Sequence, residues 1–593
     1  MANKRNKVRN LKRKYQGNRY SRKAKEVIEC SRKSETTSAS KLKNNFSAET
    51  TCDSEVDNFF FICNFRIIKN ILEQYSICSE CNSKLTFLHN KSVRMGFSIG
   101  ITIQCSNCDF ESTFYSSPYI NQSSKPGSNP YEINLRAVMA FREIGRSNEA
   151  MSTFTAIMNM PPPLSNHSYD LTNNKLHKVY KEISSHSMKA AVSELREIIN
   201  ANASDDEIID CGISIDGTWQ RRGYSSLNGV VAGLSHENKK VIDVFSLSKF
   251  CMQCEVHKRI NNPIDFECWK ATHNCQVNHF GTAGSMEAAG AREIFHSSIQ
   301  KYNLRYTKYL GDGDSSSFTN VVKSKPYGDC IIEKLECIGH YQKRVGSRLR
   351  QKIKDFKGRL LSDGLKISGK GRLTNKSINT MQNFVGMAIR QNKNNLLCMR
   401  NSVIAVLYHC TNFPYEVTRH QFCLKGKNSW CKWQSDKVTG KTSYKQKINL
   451  PVAVMEEIKP IFQELSNPEM LRKCLHGMTQ NCNESFNGFI WQRCPKATFT
   501  ARKILEIAVY SSILNYNDGF TSLRYVFKML GFPGGIYFEK GAFKKDKKRL
   551  SSMSRKSTDI NKKRRKHLRS IKKGYLDIEK ENDDGNFYTS GSF

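Results

Sequence analysis

The chain has 593 residues, with 93 Lys and Arg against 54 Asp and Glu and a formal net charge of +39. That excess points to a polyanionic partner, nucleic acid first and an anionic membrane surface second. Hydrophobic residues make up 38% of the chain, enough at this length for several domains with polar tails, and no apolar run approaches a membrane span.

Residues 1–56 are basic and polar and read as a disordered tail without the apolar segment of a secretory signal. The 21 cysteines are therefore expected in a reducing compartment, where paired cysteines read as metal ligands sooner than as disulfides. Within residues 57–114, "DNFFFICNFRIIKNIL" is apolar enough to dock on something. After it, "CSEC" (Cys78, Cys81) and "CSNC" (Cys105, Cys108) sit on strand-like segments. This CxxC…CxxC pattern predicts a structural Zn²⁺ ribbon. Residues 115–131, rich in Ser, Pro and Asn, read as a linker. Residues 132–200 are helical in pattern: "LRAVMAFREIG" and "NEAMSTFTAIMNM" flank Gly145. The pair fits either a DNA-binding helix-turn-helix or an ordinary helical hairpin, and the commoner hairpin is preferred.

Residues 205–345 hold the strand-rich part. Runs at 207–215, 224–235 and 240–250, joined by short turns, predict an antiparallel meander. A Cys/His insert at 251–279 comes next, with six candidate ligands; Cys251, Cys254, His273 and Cys275 are the predicted Zn²⁺ set, ahead of Cys268 and His279. "GSMEAAGAREIFHSSIQKY" then predicts a helix, "LRYTKYL" (304–310) a strand, and "IIEKLECIGH" a strand ending at His340. Residues 346–475 are basic and helical, and a third Zn²⁺ set is read at His409, His420, Cys423 and Cys431, with Cys410 as a substitute. Each set can fill four positions with protein ligands, which suits structural rather than catalytic sites. Helices are expected over 476–535 and a basic tail, with "KKRRK" at 562–566, over 536–593.

Three acids stand at or on element ends. Asp216 closes the first strand, Asp312 comes just after the fourth with Asp314 as runner-up, and Glu484 lies on a helix in "QNCNESFNGFIW". Each alone reads as a surface acid. Together they suit an incomplete carboxylate cage for Mg²⁺ or Mn²⁺, the arrangement of two-metal phosphoryl transfer. The order β-β-β-α-β-(α)-β is that of the ribonuclease-H-like fold, an α/β architecture.

The stretches "SIDGTWQRRGYSSLNGVV", "GSMEAAGA", "YTKYLGDGDS", "LECIGHYQKRVGSRLR", "GKGRLT", "SWCKW", "TQNCNESFNGFIWQRCPK" and "GFPGG" run in order from about 208 to 535. With them the chain resembles the animal-type Mutator-like transposases. The resemblance implies a DDE catalytic core on the ribonuclease-H-like fold, interrupted by a helical insertion, with Asp216, Asp312 and Glu484 as the catalytic, Mg²⁺-holding triad. It also places a Cys-x-x-His after the second acid, here Cys337 and His340. His340 is expected to orient a phosphate or an acid, and a packed strand-end histidine is the plain alternative.

The basic run "HYQKRVGSRLRQKIKDFKGRL" supplies Lys343, Arg344, Arg348, Arg350 and Lys352 as the expected DNA contacts. Trp219 and Trp491 are read either as base-stacking platforms or as core. The terminal basic clusters read as nuclear-import or nonspecific DNA-binding segments. The expected protein is thus a nuclear DNA transposase acting on double-stranded DNA, at element ends and target, with structural Zn²⁺ and no membrane partner; a homo-oligomer stays open. A domesticated, non-cleaving DNA-binding regulator and a structure-specific nuclease on the same fold are the alternatives.

Overall fold

In the computed structural model, the described residues are 58–120, 130–220, 226–257, 262–312 and 315–562, with scattered positions to 571. The predicted tail 1–56, Asp314 and part of the "KKRRK" cluster lie outside them. The fold is mixed α/β with two sheets and many helices. Among the described residues no helix is long and apolar enough to cross a membrane.

Helix α1 (Phe65–Tyr75) starts where the Asn64 side chain accepts from the Arg66 amide. Strands β1 (Leu85–Met95), β2 (Ser98–Cys105) and β3 (Glu111–Tyr115) form an antiparallel sheet in sequence order. Asn134, in the first turn of the next helix, ties that helix to the sheet: its Nδ2 donates to the Met95 carbonyl at 2.8 Å and its Oδ1 accepts from the Phe97 amide at 2.9 Å. Helices α2 (Glu132–Glu143) and α3 (Asn148–Ile157) follow one another across a short turn, with the Phe141 and Phe154 rings 6.0 Å apart, and α4 (Asn166–Ile199) runs for 34 residues. The turn between α2 and α3 requires glycine. Gly145 has φ +71°, and a Cβ there would lie 2.5 Å from the Gln492 carbonyl.

The second sheet contains β4 (Ile209–Trp219), β5 (Asn228–Ser235), β6 (Val241–Ser248), β7 (Leu304–Gly311) and β8 (Glu333–Glu336), in spatial order β6-β5-β4-β7-β8. β4, β5 and β6 are the antiparallel meander; β7 and β8 run parallel to β4. Between β6 and β7 lie short helices α5 (Met252–His257) and α6 (Pro263–Thr272), then α7 (Ser285–Tyr302). Helix α8 (Ser315–Lys323) joins β7 to β8. Both faces of the sheet are covered, so β5 is buried at every residue rather than at alternate ones. Ile213 and Ile215 of β4 and Val231 of β5 pack with Met286, Ala291, Ile294 and Phe295 of α7. Val230, Ala232 and Leu234 of β5 point the other way, into a core made with the C-terminal helices.

The next part of the chain is a helical block with its own core: α9 (Ile338–Asp355), α10 (Asn375–Gln391), α11 (Leu396–Cys410), α12 (Glu416–His420), α13 (Lys432–Thr439), α14 (Val452–Leu465) and α15 (Pro468–Arg472). The block begins and ends at one place. The Glu336 amide donates to the Lys473 carbonyl at 2.8 Å and the Ile338 amide to the Met478 carbonyl at 3.2 Å. The chain then returns to the large sheet through α16 (Asn481–Arg493) and α17 (Arg502–Asn517) and closes with α18 (Leu523–Leu530) and α19 (Ile536–Ser557).

Four expectations shift. β4 runs on to Trp219, so Asp216 lies inside the strand rather than at its tip; β5 continues to pair there through Thr218 and Trp219. The strand expected to end at His340 stops at Glu336, and His340 sits in the first turn of α9. The reason is periodicity: Ile338, Tyr341, Val345 and Leu349 make a buried helical stripe. Helix α9 therefore crosses the boundary expected at 345. Residues 536–557, expected in the basic tail, are helical, with Ala542 and Asp546 buried.

Candidate active site and metal centres

The site builds up from β4. Where β7 stops pairing with it, beyond Ser214↔Leu310, helix α16 takes over that edge. Gln480 Nε2 donates to the Ile215 carbonyl at 2.7 Å. Three side-chain pairs then run along strand and helix in step. Ser214 Oγ donates to Asn483 Oδ1 at 2.8 Å, Asn487 Nδ2 donates to Asp216 Oδ2 at 2.7 Å, and Trp491 Nε1 donates to Thr218 Oγ1 at 2.8 Å. Asn483 also donates to the Ser214 carbonyl at 3.0 Å and is fully buried. Glu484, next to Asn483 in the first turn of α16, is exposed. Asp312 lies one residue past β7, and its Oδ1 is 2.6 Å from His340 Nδ1.

These groups feel one another. Burial pushes the half-buried Asp216 carboxyl up to about 7, and the negative charges of Glu484 and Asp312 push the same way. His340 and the Asn487 hydrogen bond oppose the rise. The hydrogen bond to Asp312 raises the pKa of His340 against the lowering by burial, and Asp216 adds to the rise. The charge the site lacks is positive, which is what a divalent cation supplies; the donor set of two aspartates and a glutamate is all hard oxygen and fits Mg²⁺ or Mn²⁺. The acids do not form a closed cage: one oxygen of Asp216 is held by Asn487 and one of Asp312 by His340.

Both tryptophans are used by the fold. Trp219 packs on the α7 side of the sheet and donates to the Ala283 carbonyl at 2.7 Å, while Trp491 closes the β4–α16 seam. The basic stretch of α9 is divided. Arg344 pairs with Glu336 at 2.7 Å, Arg348 with Glu464 at 2.5 Å and Lys352 with Glu457 at 3.2 Å, and Arg350 donates to Asn379 at 2.7 Å. Lys343 holds an exposed position, as do Lys354, Lys357 and Arg359 beyond it.

The three Cys/His sets come together as four-residue groups, each with its ligand atoms within 4.8 Å of one another. Tetrahedral Zn²⁺ with bonds of about 2.3 Å puts sulfurs roughly 3.8 Å apart. Cys78 and Cys108 lie 3.6 Å apart and Cys81 and Cys105 3.3 Å, at the mouth of the three-stranded sheet. In the second set, Cys254 Sγ is 3.1 Å from His273 Nε2 and 3.6 Å from Cys275 Sγ. His273 Nδ1 is held by the Lys270 carbonyl at 3.0 Å, which turns Nε2 toward the sulfurs. His279, weighed as a ligand there, instead sits 3.0 Å from the Thr282 carbonyl. The third set is wholly buried. His420 presents Nδ1 to Cys431 at 3.4 Å while Glu416, at 3.0 Å, and Tyr444, at 3.1 Å, hold its Nε2. The hydrogen bond with Cys423 lowers the Cys431 thiol pKa, with burial opposing and His409 and His420 adding to the lowering, the direction a thiolate ligand needs. Cys410 is buried outside the set.

A family model described as Mutator-like transposase matches residues 59–431. That is more than half of the chain, and the chain belongs to this family. The matched region includes Asp216, Asp312, His340 and all three Cys/His sets, and it ends before Glu484. No curated protein matches the chain. Family membership supports a transposase-type function and action on DNA.

Two outcomes are expected. Protein purified under reducing conditions should carry about three zinc ions per chain by elemental analysis, since each set offers a full tetrahedral donor group. Cys431→Ser should lower that to about two and lower the melting temperature, because this set lies in the core of the helical block; Cys78→Ser should lower it to about two and leave that core intact. The second outcome concerns pH. The folded pKa of Asp216, about 7, exceeds the unfolded value near 3.8, so the folded state binds the extra proton and stability is lost as pH rises from about 4 through 7. His340, also raised, acts in the same direction above its ordinary 6.5. In Mg²⁺-free buffer the melting temperature should therefore fall between pH 5 and 8, and Asp216→Asn should flatten that fall. A steeper fall in Asp216→Asn would show the carboxyl is not the destabilising group.

Proposed function

We propose that the chain is a DDE transposase that cuts and joins DNA strands by divalent-metal-dependent phosphoryl transfer. The observation that carries this reading is geometric: β4, the end of β7 and the first turn of α16 bring Asp216, Asp312 and Glu484 to one end of the sheet, with Asn487 on Asp216 at 2.7 Å and His340 on Asp312 at 2.6 Å, and the charges of Asp312 and Glu484 push the Asp216 pKa up. The large sheet with α7 and α16 is read as a ribonuclease-H-like core, in two parts at 205–345 and 476–535. The helical block is read as its insertion, the 57–114 module as a zinc ribbon, and 132–200 as a helical region that helps hold DNA.

In this reading Asp216, Asp312 and Glu484 hold the ions. When bound, Mg²⁺ offsets the phosphodiester charge and stabilises the attacking and leaving oxygens of an in-line displacement. The protein's own groups do the positioning. Asn487 fixes the plane of the Asp216 carboxylate, and His340 holds Asp312 through Nδ1. The overall reaction is hydrolysis of one phosphodiester to leave a 3′-hydroxyl and a 5′-phosphate, then attack of that hydroxyl on a target phosphodiester, whose own 3′-oxygen leaves and takes up the proton. DNA is held through phosphate contacts, and Lys343, one turn past His340, is the member of the predicted basic group best disposed for one. The terminal basic clusters fit a nuclear protein.

Glu484→Gln keeps size and hydrogen bonding but removes a metal-binding charge. Strand cleavage in Mg²⁺ should fall by roughly 10²- to 10⁴-fold, the loss of several kcal/mol of charge stabilisation, while DNA affinity persists. Lys343→Glu should weaken DNA binding and lower the slope of log affinity against log salt by about 1. Arg348→Glu should act mainly on stability, because it sets a second carboxylate against Glu464. Cleavage by Glu484→Gln at the parent rate would remove Glu484 from the triad. A parent that binds DNA and never cleaves would favour a domesticated regulator.

A further inference from the structure

Residues 536–549 read as tail in the sequence but form the first part of α19, and its anchors decide which way its lysines face. Ala542 and Asp546 are buried. Asp546 accepts from the Phe520 amide at 2.8 Å and from the Thr521 amide and hydroxyl at 3.0 Å. The half-buried Arg549 donates to the Asn515 and Tyr516 carbonyls, the latter at 2.9 Å, and its guanidinium lies 5.1 Å from the Phe489 ring of α16. Positions 542, 546 and 549 recur at helical spacing, so one stripe of the helix is committed to the fold. Successive residues of a helix turn by about 100°, which puts Lys540, Lys544, Lys547 and Lys548 in a sector roughly 100° wide, opposite that stripe. All four are exposed. Lys545 stands apart on the flank, its Nζ 3.7 Å from the Phe520 ring centroid.

This outer face carries no acid. Within 536–549 the acids are Glu539, paired with Arg524 at 2.9 Å, and the buried Asp546. Among the described residues none of the four lysines pairs with a carboxylate. Helix α9 is the contrast, with Arg344, Arg348 and Lys352 taken by acids of the fold. On α19, Lys540 and Lys544 stand four residues apart, as do Lys544 and Lys548, and like charges at that spacing weaken a helix. A helix that served packing alone gains nothing from this repulsion; an anion laid along the face relieves it. The four lysines span eight residues, about 12 Å of helix. Phosphates follow one another along a DNA strand at about 3.4 Å of axis, so a duplex presents several over that length. Lysine is a compact point charge without the fork geometry that reads a base edge, which leaves the phosphate backbone as its target. An anionic membrane fits less well. A helix that lies in a membrane surface buries its own apolar face there, and the stripe of α19 that holds Ala542 is already packed on the protein.

We propose that the outer face of α19 is a binding surface for the phosphate backbone of duplex DNA, with Lys540, Lys544, Lys547 and Lys548 as its contacts and no preference for sequence. The proposal rests on the reading of DNA as the partner and not on the acid site, so its test does not use cleavage. Full-length protein is titrated in Mg²⁺-free buffer, over a series of salt concentrations, with two 30-bp duplexes of unrelated sequence. The variant combines Lys540→Gln, Lys544→Gln, Lys547→Gln and Lys548→Gln. It should lower the slope of log affinity against log salt by about 3 to 4, and weaken binding at about 0.1 M salt by roughly 10- to 1000-fold, to the same extent on both duplexes. Its melting temperature should equal or exceed that of the parent, because the repulsion along the helix is gone. An unchanged slope in the variant, while Lys343→Glu lowers it, overturns the α19 surface and leaves the DNA reading standing. A parent that binds neither duplex overturns both. Unequal losses on the two duplexes overturn the phosphate contact in favour of base reading. A lower melting temperature overturns the surface by showing that the lysines serve the fold. Loss of binding to phosphatidylserine–phosphatidylcholine vesicles, with duplex binding unchanged, overturns it in favour of a membrane surface.

Discussion

The register between β4 and α16 is the constraint on which the candidate site depends. Two residues of strand advance about 6.6 Å and four residues of helix about 6.0 Å. Partners at 214, 216 and 218 can therefore meet partners at 483, 487 and 491 in succession before the mismatch accumulates. A slip of one helical turn would carry Glu484 about 6 Å along the strand, too far to share an ion with Asp216 under two-metal geometry. The seam is polar, with a side-chain hydrogen bond at each of its three pairs, which gives it a direction that an apolar contact lacks. Phe486 and Ile490, on the same helix, supply the nondirectional burial against β5.

The far end of α16 is held as firmly. Arg493 is buried and donates from Nε to Glu143 Oε2 and to Ser511, while Tyr180 donates to Glu143 Oε1 at 2.9 Å. Removing one member of such a buried set leaves an uncompensated charge and costs more than the set contributes net. Helix α2, through Glu143, and the Gly145 turn after it thus fix the helix that carries Glu484. Charge elsewhere is used differently. The chain carries +39, yet Arg344, Arg348 and Lys352 on α9 are taken by acids of the fold. Net charge speaks for a polyanionic partner; it does not say which cations meet it.

Much of this is legible in the sequence where the chemistry is local. Cys and His ligands separated by only two residues, such as Cys78 and Cys81, Cys251 and Cys254, or His420 and Cys423, can share one ion, and all three predicted sets come together as four-residue groups. The order of strands and helices in the large sheet also emerges from apolar runs and turn residues. The first turn of α9 reads as strand because "IIEKLECIGH" is apolar enough for one; the stripe continuing through Tyr341, Val345 and Leu349 carries the helical signal. The seam leaves a trace as well, with Asn483, Asn487 and Trp491 recurring every four residues beside Phe486 and Ile490. Its partners on β4 are some 270 residues away, so the pairing itself needs the fold. The acid pairs of α9 are hidden for the same reason: Glu457 and Glu464 lie more than a hundred residues beyond it.

The central claim is that Asp216, Asp312 and Glu484 hold divalent cations together. Anomalous diffraction from crystals of the full chain soaked in Mn²⁺ tests it most directly. The account predicts Mn²⁺ density beyond the end of β7, with a carboxylate oxygen from each of the three acids about 2.1–2.2 Å from an ion. Density bound by Asp216 and Asp312 with Glu484 turned to solvent, or no density at this site beside fully occupied zinc, would contradict it.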